Sequence, residues 1–166
     1  MNDKTYILTA ELDDASFDWL DALRREHFPP ERNVLSAHLT MFHRLSGAQI
    51  ERLPLVAMPD RPIDLDVDGL RFLGGGVAFN LRSPGLARLR EAIIAAMAGE
   101  LSRQDGQKWT PHVTVQNKVK TEIARDLFAT LSEDFASRAG HATGLLVWEY
   151  LGGPWRLVRR LPFAPG

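Results

Sequence analysis

Two stretches of this chain repeat one pattern: Ser36-Ala37-His38-Leu39-Thr40-Met41 and Pro111-His112-Val113-Thr114-Val115. Each reads histidine, apolar, threonine, apolar. Successive side chains of a strand point to opposite faces, so each stretch predicts a strand with its histidine and threonine on one side. Leu39 and Met41, or Val113 and Val115, then back it from a core. His38 and His112 lie 74 residues apart in a chain of 166, which implies two similar halves with one His-Thr pair each. A fold that uses both pairs must bring two distant strands together.

The triplet alone is cheap. With 5 histidines and 8 threonines, chance gives about 0.24 His-x-Thr triplets. Three occur. The third, His141-Ala142-Thr143, is followed by Gly144 and reads as a turn or strand entry. The apolar alternation and the place in each half carry the signal.

The remaining elements fall between turn and cap signals. Thr5–Ala10 reads as the first strand, and a helix capped by Asp13 or Asp14 follows to about Glu26. A short Ser46-capped helix covers Gly47 to Leu53, and a strand begins at Ile63. Gly74-Gly75-Gly76 turns a hairpin into Val77–Arg82. Ser83-Pro84 starts a helix to about Leu101. Thr121 caps another to about Ala136, and two final strands follow over Gly144–Tyr150 and Trp155–Leu161. Split near Ser83, the halves echo each other. The expected fold is α+β, a single bilobal domain over 1–166 with pseudo-twofold, intertwined lobes. Two antiparallel-rich sheets face a central cleft, with helices outside.

Several features argue against other functions. No cysteine is present, so disulfides, cysteine metal sites and a thiol nucleophile are excluded. That fits a reducing cytoplasm, the expected location. The formal net charge of −1 offers no general basic surface for long nucleic acid. Met1-Asn2-Asp3-Lys4 lacks the apolar stretch of a signal peptide, and no apolar run approaches a membrane span. Asp64, Asp66 and Asp68 alternate without the glycine turn and final glutamate of a calcium loop, so a solvated strand face is expected. The glycine triplet lacks the Lys-Ser/Thr of a phosphate loop.

Two imidazoles across a cleft suit paired general acid and base catalysis near neutral pH. Two threonine hydroxyls beside them can hold non-bridging phosphoryl oxygens. A phosphodiester, especially a strained cyclic one, is the substrate this chemistry suits, with no metal required. Gln116, two past Thr114, shares its parity and is a candidate for phosphate, base or ribose; an exposed strand end is the plainer alternative. Lys118 has the same parity and the same two readings. Phe42 shares parity with His38 and Thr40 and is expected on the cleft wall. Trp109 either stacks a base or packs in the core. His43 has the opposite parity and is expected to face away. His27, at a helix end, and His141 carry no functional expectation.

The paired His-Leu-Thr-Met and His-Val-Thr-Val resemble the two signature motifs of the two-histidine phosphoesterase superfamily. That superfamily includes bacterial 2′-5′ RNA ligase-like proteins and RNA 2′,3′-cyclic phosphodiesterases. The resemblance implies that His38 and His112 act as acid and base and that Thr40 and Thr114 hold phosphate. It implies no cofactor or metal. The expected activity is metal-independent hydrolysis of 2′,3′-cyclic phosphate ends of RNA or of small nucleotides. The alternatives are a non-catalytic nucleotide- or RNA-binding module using the same cleft, and 2′-5′ RNA ligation as the reverse reaction. A monomer is expected, with no membrane and no obligate protein partner.

Overall fold

The computed structural model describes residues 3–164. Seven strands and four helices follow in the order β1 (Tyr6–Leu12), α1 (Asp14–His27), β2 (Leu39–Leu45), α2 (Gly47–Ile50), β3 (Ile63–Phe72), β4 (Val77–Arg82), α3 (Pro84–Ala96), β5 (His112–Gln116), α4 (Thr121–Glu133), β6 (Arg138–Tyr150) and β7 (Trp155–Pro162). Every strand pairing is antiparallel. The fold is α+β, as expected.

The strands form one sheet, however, not two. Its order is β2-β1-β6-β3-β4-β5, with β7 also paired to β6. The cause is the length of β6. Its first residues, Arg138–Ala142, pair with β3. Gly144–Tyr150 pair with β7, while β1 runs along the opposite edge. Thirteen residues thus join what the sequence pattern divides into separate sheets. The strand also takes in His141, expected at a turn or strand entry, as the fourth residue of β6.

The strand order is symmetric. Exchanging β1 with β4, β2 with β5 and β3 with β6 leaves it unchanged. Each half therefore runs strand-helix-strand-helix-strand, with β7 appended. The boundary lies in the Gly74–Gly76 hairpin, not near Ser83, because β4 opens the second half as β1 opens the first. In both halves the His-Thr strand is the one that ends the sheet: β2 on one side, β5 on the other.

Local chemistry explains the helix starts. The Asp13 carboxylate accepts the Ser16 amide at 2.8 Å, and the Ser83 hydroxyl accepts that of Leu86 at 3.2 Å with Pro84 at the first turn. At α4 the cap position falls to Lys120, with Thr121 already helical. α3 stops at Ala96, earlier than Leu101, as Met97 is extended and Gly99 takes φ +78°. Helical spacing turns Leu20 on α1 and Leu86 and Ile93 on α3 into the core, each fully buried with Leu39, Val113 and Leu145 of the sheet. Each such leucine contributes about 2 kcal/mol by leaving water. Asp64, Asp66 and Asp68 are exposed while Leu65 and Val67 are buried, the predicted alternation.

Candidate active site

β2 and β5 each have a strand on one side only. A free edge leaves backbone groups to be satisfied by something else. Two buried arginines do much of this. Arg24, on α1 of the first half, donates from Nη1 to the Thr114 carbonyl of β5 at 2.9 Å. Arg90, on α3 of the second half, donates from Nε to the Met41 carbonyl of β2 at 3.0 Å. Each helix thus holds the His-Thr strand of the other half. Each guanidinium also lies over an aromatic ring, Arg24 over Phe28 at 4.2 Å and Arg90 over Phe42 at 4.6 Å. The Trp109 indole donates to the Thr40 carbonyl at 3.1 Å, so its role includes tying the loop before β5 to β2. These bonds bring the two motif strands together.

The registers show a second match between the halves. Thr9 faces Thr40, yet Leu8 faces Phe42, so Met41 is an extra residue in β2. Ala78 faces Thr114, yet Val77 faces Gln116, so Val115 is an extra residue in β5. A bulge therefore follows the threonine in both motifs, and it reverses the parity of the residues just after it; in β2 a second register shift follows between Phe42 and Leu45. Phe42 turns into the core at 0 % exposure instead of lining a cleft, and Gln116 turns in at 3 %. The shared face expected for Gln116 is lost for this reason. Its Oε1 has no partner among the described residues. Beyond β5, Lys118 is exposed and adopts φ +66°.

The same bulge returns His43 to the side of His38 and Thr40. Strand parity alone puts it on the far side. His43 shares a cavity of about 200 Å³ with Thr40, His112, Trp109 and Lys108. Asp105, 2 % exposed, holds it there. One carboxylate oxygen accepts the His43 amide at 2.8 Å and its Nδ1 at 3.1 Å; the other accepts the Arg44 amide at 2.9 Å and the Ser102 hydroxyl at 3.1 Å. Burial raises the Asp105 pKa, but these bonds more than offset it, and the net shift is downward.

The two motif histidines are held alike. His38 Nδ1 lies 2.8 Å from the Ser36 carbonyl, and His112 Nδ1 lies 2.9 Å from the Thr110 carbonyl. A carbonyl only accepts, so Nδ1 carries the proton and Nε2 is left as the reactive nitrogen. Burial pushes His38 down to about 4 against the help of the Ser36 carbonyl, and Arg24, His112 and His43 push the same way. Burial also lowers His112, with Arg71 and His43 adding to it. Both shifts favour the neutral ring. His38, His43 and His112 sit close enough for a charge on one to oppose a charge on another.

The surroundings of the pair differ. His38 packs against the Trp155 ring at 4.7 Å and lines a second cavity, about 260 Å³, with Thr9, Leu146 and Trp148. His112 has the Arg71 guanidinium beside it, Nη1 being 3.1 Å from Nδ1. Thr114 is half-buried on β5 and does not line the cavity that holds Thr40 and His112. His27 ends α1 and His141 lies beside Asp64 on the surface, 3.2 Å away. Among the described residues no group of three His, Cys, Asp or Glu is placed to hold a metal ion. No described helix is long and apolar enough to cross a membrane.

A profile of the 2′-5′ RNA ligase superfamily matches residues 12–154. The chain belongs to this superfamily. Proteins of known structure share its fold over nearly the full length. E. coli LigT in complex with 3′-AMP aligns with a TM-score of 0.59 at 17% identity, covering 98% of this chain and 99% of that one. TT0787 of Thermus thermophilus aligns at 0.64 with 14% identity, covering 97% and 98%. A phosphoesterase aligns at 0.58 with 16% identity, covering 98% and 99%. A search of curated proteins gives no match. The resemblance read from the two motifs is therefore borne out at the level of the family and its fold.

Proposed function

We propose that this member of the superfamily is a metal-independent phosphodiesterase that opens 2′,3′-cyclic phosphates on RNA ends or small nucleotides. The observation that carries the reading is the matched pair of imidazoles. His38 and His112 share the same i−2 carbonyl bond and precede the same threonine and bulge, His38 at the entry to β2 and His112 at the start of β5, the two strands that end the sheet. In this reading the two Nε2 atoms carry the proton transfers, and the Thr40 and Thr114 hydroxyls donate to the non-bridging oxygens. We read the two halves as pseudo-twofold lobes, each lending one His-Thr pair to one centre.

The steps balance without a further reactant. The anionic phosphodiester enters and raises the proton affinity of one imidazole, which takes a proton from solvent. The other imidazole removes a proton from water as its oxygen bonds to phosphorus. The P–O bond to one ribose oxygen breaks, and the protonated imidazole supplies that oxygen with its proton. The product is a 2′- or 3′-monophosphate, and solvent resets the pair. In water, hydrolysis is favoured over 2′-5′ ligation by the concentration of the nucleophile. Binding of 3′-AMP, NADP+ and ATP by E. coli LigT supports a nucleotide ligand for this chain as well.

The test is turnover of a panel of nucleoside 2′,3′-cyclic phosphates and 2′-5′ dinucleotides in excess EDTA. Hydrolysis of the cyclic compounds is expected. Tight binding of the monophosphate products with no turnover of any compound would instead favour the non-catalytic binding module.

A further inference from the structure

His43 has no equivalent in the other half. The third residue after each threonine is His43 in β2, which the bulge returns to the threonine's side, and Asn117 just past the end of β5. Asn117 uses its side-chain oxygen to accept the Lys118 amide at 2.9 Å. His43 is held by a buried carboxylate that takes its Nδ1 and its backbone amide together. Such a support fixes ring orientation and leaves Nε2 as the free nitrogen. The imidazole side chain is 39% exposed. A buried aspartate thus orients an imidazole that the two-histidine reaction does not use.

The position of His43 indicates its purpose. It forms a ridge between two hollows. On one side is the cavity with Thr40 and His112. On the other is a hollow of about 290 Å³ walled by Tyr150, Trp155, Ile7 and Thr5. The first is polar and carries Thr40 and His112. The second is bounded by two aromatic rings, of which Tyr150 is 48% exposed. A nucleotide has the same order of parts: a phosphate, a hydroxyl-bearing sugar and a flat base.

We propose that His43, held by Asp105, is the substrate-positioning residue that meets the sugar of a nucleotide phosphoester, with the phosphate at Thr40 and His112 and the base in the Tyr150–Trp155 hollow. This rests on the phosphodiesterase reading above and adds a direction to it: the organic part of the substrate leaves the centre on the β7 side. A base stacked on an aromatic ring gains sequence-tolerant affinity, and Nε2 offers a hydrogen-bonding partner to the sugar.

The experiment compares adenosine 2′,3′-cyclic phosphate with glycerol 1,2-cyclic phosphate, which has no base, on the wild type and on His43→Ala, His43→Gln and Tyr150→Ala. For the nucleotide, His43→Ala and Tyr150→Ala are each expected to raise KM about tenfold with kcat little changed. His43→Gln, which keeps a polar atom, is expected to recover part of the loss. Tyr150→Ala should leave glycerol cyclic phosphate unaffected. An unchanged nucleotide KM in either alanine variant, or an equal effect of Tyr150→Ala on both substrates, overturns the proposal while wild-type turnover keeps the phosphodiesterase reading. Absence of wild-type turnover on both substrates removes that reading and this proposal together. Should His43→Ala fail to fold, Tyr150→Ala on the exposed rim decides alone.

Discussion

The Arg71 guanidinium stands 3.1 Å from His112 Nδ1, and this contact breaks the symmetry of an otherwise matched histidine pair. Thr110 is the closer acceptor, so Arg71 acts on His112 as a neighbouring cation that opposes imidazolium formation. Removing that charge relieves one of the causes that hold the His112 pKa down. In Arg71→Gln the imidazole titration of His112, followed by NMR, is expected to move to higher pH, with His38 moving less. Any acidic limb of the activity profile that belongs to His112 moves the same way. A His112 titration unchanged, or shifted down, contradicts the contact.

His38 links the site to stability. Its pKa is about 4 in the folded protein, while an unfolded histidine titrates near 6.5. Between those values the unfolded chain binds more protons, so stability falls as pH is lowered through that window. Urea unfolding at pH 7, 6, 5 and 4 checks it. The decline from this group is expected to be absent in His38→Gln, whose side chain does not titrate.

The two helix arginines set the geometry. Arg24 donates to Asn33, to the Leu35 carbonyl and to Thr114, all from a side chain in a residue 4 % exposed. Truncation leaves the β5 carbonyl without its donor and opens a void. Arg24→Ala is expected to cost about 2–4 kcal/mol in urea unfolding, and activity should fall with it because β5 loses its hold on the other half. Full stability and full activity together would rule out the clamp.

Gly76 tests the bulge after Thr114. A Cβ there would lie 1.8 Å from the Gln116 carbonyl oxygen, which is backbone and cannot rotate away. Gly76→Ala is therefore expected to destabilise the protein by about 2 kcal/mol or more, measured as a shift in the urea midpoint. Gly153→Ala, with no atom within 4 Å of the added Cβ, is the control and should change little.

Much of this architecture is legible in the sequence. The His-Thr spacing marks β2 and β5, the glycine triplet marks the hairpin, and Asp13 and Ser83 mark helix starts. What fails has one main cause. A bulge adds one residue without any demanding residue type, and Met41 and Val115 look like ordinary alternating apolar positions. Strand parity therefore puts Phe42 and Gln116 on the wrong face and His43 on the far side. The paired arginines leave a signal that the pattern of motifs does not use: Arg24 falls four after Leu20, and Arg90 four after Leu86, so each puts a charge on an apolar helix stripe. The single sheet is not readable, because the strand that joins the halves begins six residues before the apolar run that announces it.

Whether the two histidines work as one phosphodiester centre is tested most directly by kcat. The substrate is adenosine 2′,3′-cyclic phosphate, and the proteins are the wild type, His38→Ala, His112→Ala and the double variant, with EDTA present. Each single loss is expected to be about 10²–10⁴-fold, and the double variant should lose little more than the worse single, because paired groups act as a unit. Wild-type turnover retained in the double variant would contradict it.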